Sequence, residues 1–283
     1  MRYATVRHAG RTAAAVLDGT DLVLLDAVDV GEALRAGIAD VRPTGERIPL
    51  ATADLAAVIS TPRKVICLGL NYRSHIEEIT GGAPLPVYPT LFPKWADTLT
   101  GPADDIAVPP AELADRIDWE AELVVVVGAP IHRAGVDEAR AAIAGYTIAN
   151  DISMRNWQLR TDQWMPGKAW DATTPLGPFL VTGDEIGDAA ALTITCDVNG
   201  ERKQTGNTAD LLFTPAVALS YISTFTRLLP GDVVLTGTTG GVGMPSGAAT
   251  LLVPGDVVRT EVEGIGVLSN RIVAEGDARG PRA

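Results

Sequence analysis

The sequence is short of the residues on which several common chemistries depend. Three histidines in 283 residues are too few for a multi-histidine zinc centre. The two cysteines, Cys67 and Cys196, lie in separate apolar runs and form no C-x-x-C pair. They read as buried free thiols in a reducing compartment, with no disulfide framework. No apolar run approaches about 18 residues, so no membrane-spanning helix is expected. The opening MRYATVRHAG lacks the apolar core of a signal peptide, and the expected location is cytoplasmic. Basic residues are outnumbered 23 to 35, giving a net charge of −12. Such a surface does not attract nucleic acid or anionic lipid, and an anionic substrate would need local positive charge from a metal, Arg or Lys. The G-x-S-x-G elbow, the H-E-x-x-H helix and the G-x-x-x-x-G-K-[ST] phosphate loop are all missing.

What is abundant points to strands and turns. Glycine and proline number 29 and 19, and apolar residues make up 46%. Residues 2–7, 13–17 and 21–25 read as strands, with a hairpin turn at Asp18-Gly19. Residues 30–38 read as a short helix and 39–62 as loop. The expected division is a small N-terminal domain over 1–60 and a larger domain over 61–283. In the larger one, residues 64–70 form a buried strand. Ser74 with Glu77 makes a capping box that starts a helix at His75 and places His75 and Glu78 on one face. The Gly- and Pro-rich stretch after it reads as a lid. Further strands are expected at 145–152, 176–182 and 192–198, helices at 136–144 and 213–228, and a tight hairpin at Asn199-Gly200. PGDVV occurs twice, at 230–234 and 254–258, as a turn into a strand, and the polar tail from Glu275 reads as frayed. The regular βαβ alternation of a doubly wound fold is absent.

The stretch 118–128, DWEAELVVVVG, holds the chemistry. Its β-branched apolar run reads as a buried strand. Glu120 and Glu122 stand at its mouth with strand spacing, so both point to one face. Two readings are open: solvated glutamates at a strand edge, or half of an oxygen-ligand metal site. Asp151, at the end of another apolar strand, would complete a trio of hard oxygen ligands suited to Mg²⁺ or Mn²⁺, with Ca²⁺ as a further option. Lys168, Arg155 and Gln158 follow closely and are placed to meet an anionic substrate at such a metal. The loop 237–243, GTTGGVG, resembles a phosphate cradle only loosely, because Pro245, Ser246 and Gly247 stand where a binding helix should begin. Trp157, Trp164 and Trp170 line a substrate pocket or fill core; core is the preferred reading. His8 and His132 read as surface residues.

Six segments in order now carry a resemblance: GLNYRSHIEE, DWEAELVVVVG, GYTIANDIS with RNWQ, GKAWD with TPLGP, VNGERKQTG, and LLPGDVVLTGTTGGVG. From about Arg63 to Ile272 the chain resembles the fumarylacetoacetate hydrolase family. The resemblance implies a β-rich α+β fold, a mixed β-sandwich-like roll with a small N-terminal domain, and a homodimer. It implies that Glu120, Glu122 and Asp151 are the metal carboxylates. It also implies that His75 and Glu78 are the general-base pair, and that Lys168, Arg155, Gln158 and Thr238 surround the oxo-acid end of the substrate. The expected activity is divalent-metal-dependent hydrolysis of a C–C bond in an acylpyruvate such as fumarylpyruvate or fumarylacetoacetate, through an enolate. Isomerisation, hydration or decarboxylation of a 2-oxo dicarboxylic acid uses the same enolate and is the alternative. A catalytically silent binding protein is a third. Two departures from the family pattern, Thr239 where proline is common and Asn156 after Arg155 where aspartate is common, lie near the expected substrate pocket.

Overall fold

The computed structural model describes residues 1–244 and 251–277. The tail residues 278–283 and the segment 245–250 after the glycine loop, on both of which the sequence carried an expectation, lie outside the described residues.

The architecture is β-rich, as read from the sequence. Among the described residues a 12-stranded mixed sheet runs from the edge strand Pro43–Pro49 through Asp21–Leu25, Arg11–Asp18 and Arg2–His8 to Thr174–Val181. It continues through Ile143–Asn150, Ala121–Val127, Val233–Thr238 and Val65–Gly69 to Thr90–Lys94. A 5-stranded sheet, which includes Thr193–Val198, Glu201–Asn207 and Val257–Val262, packs against its centre. No helix among the described residues is long and apolar enough to cross a membrane.

The run at 123–127 is continuous because its strand is buried on both faces. Leu123, Val125 and Val127 face one core cluster, and Val124 and Val126 face the other. Glu122 has the parity of Val124 and Val126, so it points away from the space occupied by Leu123. The N-terminal stretch joins the same sheet directly, with Arg2 opposite Val181 and Tyr3 opposite Leu180. The strand Pro43–Pro49 falls within the segment read as loop. Its residues are nearly all exposed, so no apolar alternation marks it. The Asn199-Gly200 turn is formed as read, with φ of 53° and 81°. The two PGDVV copies share one device: Asp232 and Asp256 each accept from the backbone N–H three residues back, at 2.9 and 2.8 Å.

One junction positions the site. After the strand Val65–Gly69, Leu70 takes a left-handed φ of 54° and turns the chain. Asn71 then clamps the turn. Its Nδ2 donates to the carbonyls of Thr236 at 2.8 Å and Phe213 at 3.0 Å, and its Oδ1 accepts from the Phe213 N–H at 2.8 Å. The helix Arg73–Thr80 starts from this clamp. Asn71→Ala removes three hydrogen bonds to backbone groups, one buried and two half-buried, and is expected to lower unfolding stability by about 2–4 kcal/mol, read from the denaturant midpoint.

Candidate metal centre and active site

The acidic cluster forms where the strand ladder is interrupted. The short strand Ile117–Asp118 and the strand Ala121–Val127 are separated by Trp119 and Glu120. There the backbone turns to side chains. The Glu120 N–H donates to Asn150 Oδ1 at 2.9 Å and the Ala121 N–H to Gln204 Oε1 at 3.0 Å. Asn150 is itself held by Thr260 at 2.9 Å, and Gln204 donates to the Thr238 hydroxyl at 2.8 Å. The Asp151 N–H closes onto the Glu120 carbonyl at 2.8 Å. Carboxylate oxygens of Glu120, Glu122 and Asp151 thereby lie within 4.8 Å of one another, all three residues buried.

Cations fill the space around them. Lys168 Nζ lies 2.6 Å from Glu120 and 2.9 Å from Asp151. Lys94, also buried, contacts the other Asp151 oxygen. Arg155 reaches Glu120 with Nη1 at 2.7 Å, and Asp118 with Nε at 2.9 Å. Three cations thus face four carboxylates, and one negative charge is left over. It falls on Glu122, which accepts the Gly237 N–H at 2.6 Å but has no ion-pair partner among the described residues. Burial, then the charges of Asp151 and Glu120, push the Glu122 carboxyl well above its ordinary range. Glu120 shows the opposite outcome. Burial would raise it, but Lys168 and Arg155 overcome that and hold it at about 2. Burial would likewise lower Lys168, and Asp151 with Glu120 reverse it, so the ammonium stays charged. An under-compensated carboxylate inside a trio of hard oxygen donors suits a divalent cation. Such an ion would turn the surplus from one negative to one positive charge, as an anionic substrate requires.

A cavity of about 170 Å³ opens onto this cluster, with Glu120, Lys168, Arg155, Gln158, Thr238 and His75 in its walls. A larger groove of about 490 Å³, between Asp54 and Arg271, contains none of these groups. His75 is buried on the helix Arg73–Thr80, and its Nδ1 lies 3.3 Å from Glu78 Oε2. Glu78 also accepts the Gly241 N–H, at 3.1 and 3.2 Å, which fixes the helix to the glycine loop. Gln158 takes an Arg155 N–H at 2.7 Å through Oε1, which leaves its amide NH₂ for a ligand. The Thr238 hydroxyl donates to the Ala121 carbonyl at 2.9 Å. All nine residues singled out in the sequence therefore belong to one region.

Some details differ. The expected capping box is not formed: the Ser74 N–H and hydroxyl both go to Asp210, at 2.9 and 2.6 Å, and Glu77 is exposed. A charged acceptor on the facing turn Thr208–Asp210 displaces the local one. Trp157 and Trp170 meet edge-on at 5.7 Å beside the core, whereas Trp164 lines the cavity. His8 pairs with Glu46 at 2.6 Å, away from the cavity lining, and His132 is exposed. Sequence reasoning missed Lys94 and Asp118. Asp118 shares the spacing of Glu120 and Glu122, which was the available signal. Lys94 lies two residues after buried Phe92 in a short strand, and that spacing was the only hint.

The fumarylacetoacetate hydrolase C-terminal family model matches residues 64–273. The chain belongs to this family. A second model, Rv2993c-like N-terminal, matches residues 1–57. The chain is 40% identical over 228 residues to the human oxaloacetate tautomerase FAHD2A, mitochondrial, covering 80% of this chain and 71% of that protein. It is similar in structure to 5-carboxymethyl-2-hydroxymuconate delta-isomerase from Mycobacterium smegmatis, at 34% identity and a TM-score of 0.80, covering 97% and 100% of the two chains. It is also similar to fumarylacetoacetate hydrolase from Exiguobacterium antarcticum, at 31% identity and a TM-score of 0.84, covering 97% and 99%.

The raised Glu122 carboxyl has a direct consequence for metal-free protein. A folded value above the unfolded one stabilises at low pH, and that stability is lost as pH rises through the folded value. The loss is about 1.4 kcal/mol for each unit of difference. Thermal melts of chelated protein are expected to fall across that range in the wild type and to stay flatter in Glu122→Gln. The same variant is expected to lose the stabilisation that Mg²⁺ or Mn²⁺ gives at pH 8.

Proposed function

We propose that the protein is a divalent-metal-dependent enzyme that moves a proton on an enolisable 2-oxo acid, as a tautomerase or isomerase. The observation that carries this reading is a small cavity lined by Lys168, Arg155, Glu120 and His75, with Glu122 and Asp151 clustered behind Glu120 and Glu78 hydrogen-bonded behind His75. Glu120, Glu122 and Asp151 would hold the cation. Bound there, Mg²⁺ or Mn²⁺ acts as a Lewis acid toward the carboxylate and 2-oxo oxygens of the acid. The protein's own groups then do the rest. Glu78, hydrogen-bonded to His75 Nδ1, orients the ring and leaves Nε2 to take the proton from the carbon beside the 2-oxo group and return it to the enolate oxygen, or to another carbon in an isomerisation; ketonisation runs the same transfer in reverse. Lys168 and Arg155 oppose the negative charge that develops as the enolate forms. Gln158 offers its amide NH₂ to a substrate oxygen, and Thr238 forms the adjacent wall. The names of the human and mycobacterial relatives, a tautomerase and an isomerase, support the same class.

Hydrolysis of a C–C bond in an acylpyruvate is the second reading. Glu78 is partly exposed, so water has access to the pair, and His75 is equally placed to take a proton from water. The fumarylacetoacetate hydrolase from Exiguobacterium supports it by similarity. Product analysis separates the two, since hydrolysis yields two acids and tautomerisation one. A homodimer belongs to the proposal and is checked by sedimentation. So does a reducing, cytoplasmic location, which the free and buried Cys67 and Cys196 support.

The first assay follows the ultraviolet absorbance of oxaloacetate enol with Mg²⁺. Faster ketonisation is expected, with loss on EDTA treatment and a fall of about 10²–10⁴-fold in His75→Ala. Full activity after chelation overturns the metal-dependent reading. A site that takes up no ion in excess Mg²⁺ and Mn²⁺ favours a silent binding protein.

A further inference from the structure

The cavity has two chemically different ends. Its cationic groups, Arg155 and Lys168, stand on the floor beside Glu120, together with His75. Its remaining lining is mostly apolar and includes Leu70, Ile79, Leu159, Trp164 and Met244, with Gln158 and Thr238 as polar members and the Phe92 ring adjoining the floor 5.4 Å from Lys168 Nζ. These apolar walls are fixed. The Trp164 ring lies flush on Gly69, where an added Cβ would stand 2.1 Å from the ring, and meets Phe92 edge-on at 5.9 Å. Two nearby cations, Arg160 and Lys94, are committed elsewhere. Arg160 stacks 3.6 Å above Trp157 and donates to the Asn156 carbonyl at 3.1 Å, while Lys94 is buried against Asp151. Behind His75, on the same helix, stands Glu78, an acid, 3.3 Å from His75 Nδ1.

We infer that the substrate carries its carboxylate and 2-oxo group at the cationic floor and an uncharged apolar group at its far end. This rests on the 2-oxo acid reading above and narrows it. A second carboxylate held beyond the fourth carbon would lose water against Trp164, and at the exposed Leu159 it would find no Lys or Arg in the cavity wall to meet it. An alkyl group there is removed from water instead. Long diacids such as fumarylpyruvate are therefore disfavoured, whereas oxaloacetate, with four carbons, presents no such distal group.

The test compares 2,4-dioxoheptanoate with 2,4-dioxoheptanedioate, which differ only in a methyl or a carboxylate at C7. Affinity for the Mg²⁺-loaded protein is measured by titration calorimetry, and consumption is followed in parallel. The monoacid is expected to bind at least about tenfold more tightly. Leu159→Arg, which adds a cation at the mouth, is expected to narrow or reverse that ratio. Equal or tighter binding of the diacid to the wild type overturns the inference and leaves the 2-oxo acid reading standing. A ratio unmoved by Leu159→Arg in a folded protein also overturns it, because the mouth then does not meet the tail. If neither acid binds, the reading of the site falls and this inference with it.

Discussion

The structure depends on a charge imbalance held out of water. Asp118, Glu120, Glu122 and Asp151 are buried together, and Lys94, Lys168 and Arg155 are buried among them. Each charge alone would be expensive to desolvate, and each has a direct partner except Glu122. The arrangement is therefore stable enough to form and still short of one positive charge. That shortfall is chemically useful. A fully neutralised cluster would bind no ion, and a cluster of unpaired acids would carry too much negative charge to admit an anionic acid beside the ion.

Holding the cluster requires the sheet to break at a defined place. A strand that ran unbroken from 117 to 127 would bond Glu120 and Ala121 to backbone neighbours. Here Asn150 and Gln204 accept those N–H groups instead, and Thr238 and Thr260 hold the two amides in turn. Of these side chains only Thr238 reaches the cavity wall, yet together they set the spacing of the carboxylates. The glycine loop contributes in the same way. The Gly237 N–H meets Glu122, the Gly241 N–H meets Glu78, and the Gly243 N–H meets Asp118 at 2.7 Å.

Much of this was legible in the sequence because it is carried by local pattern. A β-branched run bounded by glycine marks the central strand, and Asn199-Gly200 marks a hairpin in the 5-stranded sheet, whatever lies around them. The three ligand carboxylates stood out because acids beside greasy strands are costly without a reason. What stayed hidden depends on distant partners. Lys94 meets Asp151 57 residues away, and nothing near it in the chain announces that. Ser74 is drawn from its local capping partner by Asp210, 136 residues away. The strand Pro43–Pro49 is an exposed edge without alternation, so its hydrogen-bond partner and not its composition makes it a strand.

The strand Val65–Gly69 lies parallel to Val233–Thr238, with Val65 opposite Val233. A parallel pairing between such remote segments closes late, because the chain loses loop entropy before the contacts repay it. Asn71 and Gly237 sit just beyond these paired strands, and Gly237 provides the amide that meets Glu122. The ion's binding place is complete only when this parallel pair and the neighbouring antiparallel pair, in which Glu122 stands opposite Thr238, have both closed. Divalent metal should then slow the opening of the finished molecule and leave the speed of its assembly nearly untouched, so the protein folds first and is locked afterwards.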